Sequence, residues 1–258
     1  MKYFVFIDES GSADFFGIKR RPLWLDEDFV PILMIGLIIT KKRSKLRKEV
    51  ELFRQEILKD PLYNEIYSIK KVGWYPHART DHSEVRAKFF ELIREMDYID
   101  CYIVIARKNP ERFIAKHNGK AKEFYFDILS KLIHQVPFED YNTYQLYLSK
   151  LHKHTVKDFT DAVSKVFNTL QENNGKRMLS YRCNVVKASE SWEMCVIDYL
   201  LWAVQRYIMK GERRFLAALE HQFKIIYDIY DDDAENNLYT ADNPFNLEKA
   251  SDFGDQKI

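Results

Sequence analysis

The chain has 258 residues, 46% hydrophobic and 31% charged, a balance that excludes a disordered polypeptide and suits one α/β domain with a large core. Its three cysteines, Cys101, Cys183 and Cys195, are an odd number without C-x-x-C spacing, which excludes a disulfide framework and a thiolate zinc site and suits a reducing compartment. No stretch reaches the roughly 18 apolar residues of a membrane span, and the apolar N-terminus lacks a signal-peptide cleavage pattern, so a cytoplasmic protein with no membrane partner is expected.

In chain order, "YFVFID" and "FVPILMIGLIIT" (29–40) read as two strands separated by a loop bearing Gly, Ser and Asp, and together they suggest a hairpin. Residues 43–60 carry Leu46, Val50, Phe53 and Ile57 at helical spacing, with Pro61 as a stop. The stretch "IYSIKKVGWYP" (66–76) reads as a strand. Residues 81–96 form a helix with Val85, Phe89, Leu92, Ile93 and Met96 on one face, followed by the buried strand "YIDCYIVIARK". Then "KEFYFDILSKLIHQV" reads as helix, "TYQLYLSK" as strand and 156–171 as a helix ended by Asn173, Asn174 and Gly175. "MLSYRCNVVKAS" is expected to be the last strand, leading into the long helix "WEMCVIDYLLWAVQRYIMKG". Strands interleaved with helices predict an α/β fold with a mixed sheet.

The net charge of +1 hides an asymmetry: residues 228–258 balance at −7, so residues 1–227 carry +8. A domain over 1–230 is expected to be followed by an acidic tail over 231–258, in which Asp231, Asp232 and Asp233 form the densest acidic run. A basic body with an acidic tail suits a polyanion partner that the tail masks, and a solvated surface accounts for the charge about equally well. Tyr239, Pro244, Phe245 and Leu247 are apolar enough to dock on the body.

Two acids resist a bland reading. In "FVFIDESGS" an apolar strand ends on Asp8 and Glu9 and breaks at Ser10 and Gly11. A carboxylate at the end of a buried strand sits where ligands collect in open α/β sheets, although a turn cap would use the same residues. On the helix around 194–208, Met194, Ile197, Leu201, Val204 and Ile208 form a stripe, and Asp198 lies about 40° from Met194 and about 60° from Leu201. A core-facing carboxylate needs a cation, a donor network or a metal. Arg206 is one candidate partner; the other reading pairs Asp198 with Asp8 around Mg²⁺ or Mn²⁺, hard ions that take carboxylate oxygens.

The motifs "FIDESGS", "WYPHARTDHSEVRAKFFELI" and "VIDYLLWAVQRYIMKGERRF" resemble the bacterial family known as domain of unknown function 3800, over about residues 3 to 230. That resemblance implies a ribonuclease H-like fold, metal-dependent phosphodiester hydrolysis on RNA or DNA, and a phage-defence or mobile-element setting. It carries over Asp8, Glu9 and Asp198 as catalytic acids, with Asp8 and Asp198 as metal ligands. Where such helices read LQxAD this chain has "CVIDY", keeping the acid alone, and a central-strand acid is replaced by Ser149, Lys150 and His152. Glu9, Glu190, Glu193 or His77 could complete the set. Lys150 and Lys153, with His152, His154 and Lys157 and with Tyr144 and Tyr147 nearby, suggest a phosphate-tracking patch, and His77 is a further candidate contact. The competing class is a non-catalytic nucleic-acid-binding or regulatory module that keeps the fold without the full acid set.

Overall fold

A computed structural model describes residues 1–149, 155–173, 180–187, 190–232, 236–251 and 253. Along the chain run β1 (Lys2–Ser10), β2 (Ile32–Thr40), α1 (Arg43–Lys59), α2 (Pro61–Asn64), α3 (Ser83–Arg94), β3 (Asp100–Arg107), α4 (Pro110–His117), α5 (Ala121–His134), β4 (Thr143–Ser149), α6 (Val156–Asn173), β5 (Ser180–Val186), α7 (Met194–Lys210), α8 (Arg214–Ala218), β6 (Phe223–Asp228) and β7 (Leu238–Tyr239). Local chemistry sets several boundaries. Asp60 accepts a hydrogen bond from Leu62 N at 2.9 Å, so α1 stops and α2 starts at one Asp-Pro step. Asn109 caps α4 by accepting from Arg112 N at 2.9 Å.

The seven strands form one mixed sheet in the order β5-β4-β1-β2-β3-β6-β7. β1, β2 and β3 are an antiparallel meander, while β4 runs parallel to β1, β5 to β4 and β6 to β3. Within β5-β4-β1-β2-β3 only β2 is reversed, which is the ribonuclease H-like arrangement. Two apolar layers cover the sheet. The first holds Phe6, Met34 and Ile38 against α1, α3 and α7; the second holds Val5, Ile7 and Leu37 against α4, α5 and α6.

Two expectations change. Residues 65–73 are turns, not a strand, with Ile69 and Trp74 buried on the α1 and α3 side. The neighbouring strands β2 and β3 take no further strand, since β2 is paired on both sides and β3 is flanked by β2 and β6. Neither is β5 the last strand, since "FKIIYD" and Leu238–Tyr239 extend the sheet as β6 and β7. Their shortness gave little periodic signal. The described part of 231–251 also packs onto the body: Asp231 is 2% exposed beside Arg107, Asp232 pairs with Arg112, and Tyr239 and Phe245 enter the core. Asp233 lies outside the described residues.

Two glycines serve the β1–β2 hairpin. Gly11 takes φ +94°, and a Cβ there would meet the Ile32 carbonyl oxygen at 2.6 Å, so the turn after Ser10 needs glycine. Gly36 pairs with Asp8 across the ladder and faces α7, where a Cβ would stand 2.9 Å from Leu201 Cδ2 and 3.1 Å from Ile197 Cδ1. Gly36→Val should therefore push α7 off the sheet and cost about 2 kcal/mol, read in thermal melts as a Tm roughly 5 °C lower. An unchanged Tm would mean that α7 shifts freely.

Candidate functional site

Side chains alternate across a strand, so β1 sends Asp8 to the face that holds Phe6 and Glu9 to the face that holds Val5 and Ile7. Asp8 is 9% exposed. Its neighbour on parallel β4, Ser149, hydrogen-bonds its carboxylate, and α7 lies over the same face with Asp198. Glu9 instead meets α5, accepting from the Tyr125 hydroxyl at 3.4 Å. The two adjacent acids thus flank the sheet from opposite sides.

Asp198 sits at the rim of α7 with its side chain 24% exposed, and Oδ2 accepts from Ala78 N at 2.7 Å. Ala78 belongs to the loop between Trp74 and His82, which is built around Asp81. That buried carboxylate accepts from Trp74 Nε1 at 2.9 Å, His77 N at 2.8 Å and Tyr199 OH at 2.6 Å. Arg86 of α3 closes the loop from outside, donating to the carbonyls of Ala78 at 2.7 Å and Asp81 at 2.6 Å. The result places the His77 ring beside Asp198, with Nδ1 3.9 Å from Oδ2.

Electrostatics sets this corner apart. Burial pushes the Asp8 carboxyl well above the usual carboxylate range, and the charges of Glu9 and Asp198 push it further, against the Glu9 backbone and the Ser149 side chain. Burial raises Glu9 to about 7, with the Tyr125 hydroxyl opposing. Asp198 is also raised by burial, while His77 and the Ala78 N–H favour its charged form. Asp81 rises for the same reason, despite its three donors. Three other buried acids have arginines: Glu193 accepts from Arg43 Nε at 2.6 Å and from Ser191 Oγ at 2.9 Å, and Asp228 and Asp231 share Arg107.

The remaining candidates are distributed elsewhere. Arg206 donates to Glu212 at 2.6 Å and is not the partner of Asp198. Glu193 is committed to Arg43, and Glu190 pairs with Lys187 at 2.9 Å, so neither completes the acid set. Tyr144 and Tyr147 are core residues whose hydroxyls serve Glu139 and Arg43, which leaves no ring face for bases. Lys150, His152, Lys153 and His154 lie outside the described residues. Asp81, Ala78 and Tyr125 escaped the sequence reading. Asp81 stands inside the "WYPHARTDHSE" motif, yet nothing in its spacing says that three donors converge on it.

Among the described residues, no group of three or more His, Cys, Asp or Glu side chains is arranged to hold a metal ion, and no helix is long and apolar enough to cross a membrane. No family model matches the sequence, and no curated protein matches it. Among solved structures, a chain of the PCNA:RNase HII complex from Archaeoglobus fulgidus is similar at a TM-score of 0.41 and 13% identity, covering 82% of this chain and 77% of that one. At those values the likeness assigns no activity.

Two outcomes are expected from the site's construction. Asp81→Ala leaves three buried donors without an acceptor and should cost about 3 kcal/mol or more in urea denaturation; a cost under about 1 kcal/mol would mean that water replaces the carboxylate. Because the folded chain raises Glu9 from 4.5 to about 7, the native state holds that proton more tightly than the unfolded state. Its contribution therefore makes metal-free stability fall as pH rises between about 4.5 and 7, then level off. Glu9→Gln should flatten that slope in melts across pH, and an identical slope would remove Glu9 as its source.

Proposed function

We propose that the protein is a metal-dependent nuclease acting on phosphodiesters, with Asp8 and Asp198 as the metal-ligating acids. The observation that supports this reading is the uncompensated charge at the end of β1. Burial and the charges of Glu9 and Asp198 raise Asp8 in a largely buried corner, whereas Glu193, Asp228 and Asp231 are paired with arginine and Asp81 is met by three neutral donors. An acid pair of this kind is a cost in the metal-free protein and a ready donor set for a hard dication. The donor chemistry, carboxylate oxygens with a hydroxyl beside them, fits Mg²⁺ or Mn²⁺.

When bound, such an ion would activate water and stabilise charge on the scissile phosphate. The chain's own groups have separate tasks. Ser149 orients the Asp8 carboxylate, and the Ala78 N–H orients that of Asp198. Glu9, from the opposite face, deepens the negative potential at Asp8 without sharing its side of the sheet. The +8 carried by residues 1–227 is the charge that a polyanionic nucleic acid would meet.

A second reading, a nucleic-acid-binding module without catalysis, is favoured by the lack of a ready three-ligand group among the described residues. One experiment separates the two. Purified protein, Asp8→Asn and Asp198→Asn are melted with and without Mn²⁺ or Mg²⁺ and incubated with single-stranded and duplex RNA and DNA. The nuclease reading expects stabilisation of the wild type by the ion, cleavage dependent on it, and loss of both effects in either variant. Both variants should remain folded and be at least as stable as the metal-free wild type, because each removes a buried like charge. Oligonucleotide binding without cleavage under any ion would establish the module instead.

A further inference from the structure

The positive charge of the body is concentrated in one place. Residues 41–48 read KKRSKLRK, six cations and no acid, and they supply most of the +8 that residues 1–227 carry. The segment leads into α1, whose first turn contains no acid. Helix N-termini favour acids and disfavour cations, so this cluster works against the helix that bears it. Arg43 turns inward, donating to Glu193 and to the Tyr147 hydroxyl, both at 2.6 Å. The other five cations are exposed. Lys45 lies 3.7 Å from Glu49, a carboxylate that also accepts from the Tyr98 hydroxyl. The ion pairs of this segment are those of Arg43 and Lys45, which leaves Lys41, Lys42, Arg47 and Lys48 without one among the described residues.

Aromatic rings steer three of the lysines. Lys41 Nζ lies 4.7 Å from the centroid of the Tyr3 ring, and Lys42 and Lys45 lie 5.5 and 4.3 Å from that of Tyr98. We propose that the surface of residues 41–48 docks the backbone of a nucleic-acid duplex. Charge density favours this occupant: the five exposed cations lie along roughly 10 Å of chain, a length of duplex that carries about six phosphate charges. The rings favour it over a single strand, which is gripped largely by bases stacking on aromatic faces, because lysines already cover the rings here. The patch borders the face of the sheet that holds Asp8. Helix α1 packs on the same apolar layer as Phe6, and Thr40, just before the segment, stands four residues along β2 from Gly36, the ladder partner of Asp8, or about 13 Å. The inference rests on the nucleic-acid partner of the reading above, not on its metal step, and adds where that partner sits and in which form.

The test uses the full chain in the presence of a chelator, so that binding is read without cleavage. Fluorescence anisotropy follows a mixed-sequence duplex and its single strand, as DNA and as RNA, across a salt series. One variant combines Lys42→Gln, Arg47→Gln and Lys48→Gln. The other makes an equal change of charge on the opposite side of the sheet, with Lys120→Gln, Lys122→Gln and Lys131→Gln at α5. Wild type should bind duplex more tightly than single strand. The α1 variant should weaken duplex binding by about tenfold at low salt and flatten its log–log salt dependence by about 2 to 3, since each lost phosphate contact removes about 0.9. The α5 variant should change affinity by less than about threefold, because distant exposed charges are screened. Equal effects of the two variants, or an α1 variant that binds as wild type does, overturn the docking face while the nucleic-acid partner stands. Tighter binding of the single strand overturns the duplex. No binding by wild type at low salt overturns the partner as well. Acetylation footprinting of wild type decides even if a variant does not fold: bound duplex should protect Lys42, Lys45 and Lys48, and unchanged modification there overturns the inference.

Discussion

Helix α7 packs close against β2 at Gly36, where there is no side chain between them. A Cβ there would stand inside normal contact distance of Leu201 and Ile197, the residues that bracket Asp198 on the helix. Gly36 is also the ladder partner of Asp8. Position 36 thus joins the strand position of one acid to the helix segment that carries the other. The core that follows from this contact includes Met194, Ile197, Leu201 and Val204 against Phe6, Met34 and Ile38. At roughly 1.5–3 kcal/mol per fully buried large apolar side chain, that packing offsets the cost of two acids placed at its rim.

The strand period does the rest of the arranging. With side chains alternating, the pair Asp8–Glu9 cannot act from one side: Asp8 joins Ser149 and α7, and Glu9 joins Tyr125 on α5. Glu9 still matters, since charge acts across the sheet and raises Asp8. The 74–82 loop supplies the other half of the corner. Three donors converge on Asp81 and two Arg86 bonds close the loop, so the Ala78 N–H and the His77 ring reach Asp198 from a rigid support.

Elsewhere the chain treats buried acids differently. Glu193 is fully buried but answered by Arg43, which also lies over the Tyr147 ring with its guanidinium 4.5 Å from the centroid. Arg107 answers Asp228 and Asp231, its guanidinium lies 3.9 Å from the Phe253 ring centroid, and it donates to the Ser251 carbonyl at 3.0 Å. That second network ties the stretch after β7 to the end of β3. Glu193, Asp228 and Asp231 are answered by arginines, and Asp81 by three neutral donors. At the end of β1, Asp8 and Glu9 are met by hydroxyls instead, and a carboxylate cluster without a cation is a standing cost in the metal-free protein.

Much of this was legible in the sequence. Helical spacing located α1, α3, α5, α6 and α7, apolar runs located β1 to β5, and the burial demand on a stripe-facing acid singled out Asp198. Those signals are local, because a helix face and a strand face repeat every 3.6 and 2.0 residues whatever surrounds them. Other features were decided only in three dimensions. Residues 66–76 look like a strand in sequence but form turns and loop that pack Ile69 and Trp74 into the core rather than pairing in the sheet. Arg206 stood two turns from Asp198 on the helix and went to Glu212, just past the helix end. Asp81 and Ala78 entered the site through hydrogen bonds to Tyr199 and Asp198, partners more than a hundred residues away. Composition and periodicity describe which side chains a segment buries; which donor meets which buried acid depends on how distant segments cross, and only the tertiary structure determines that.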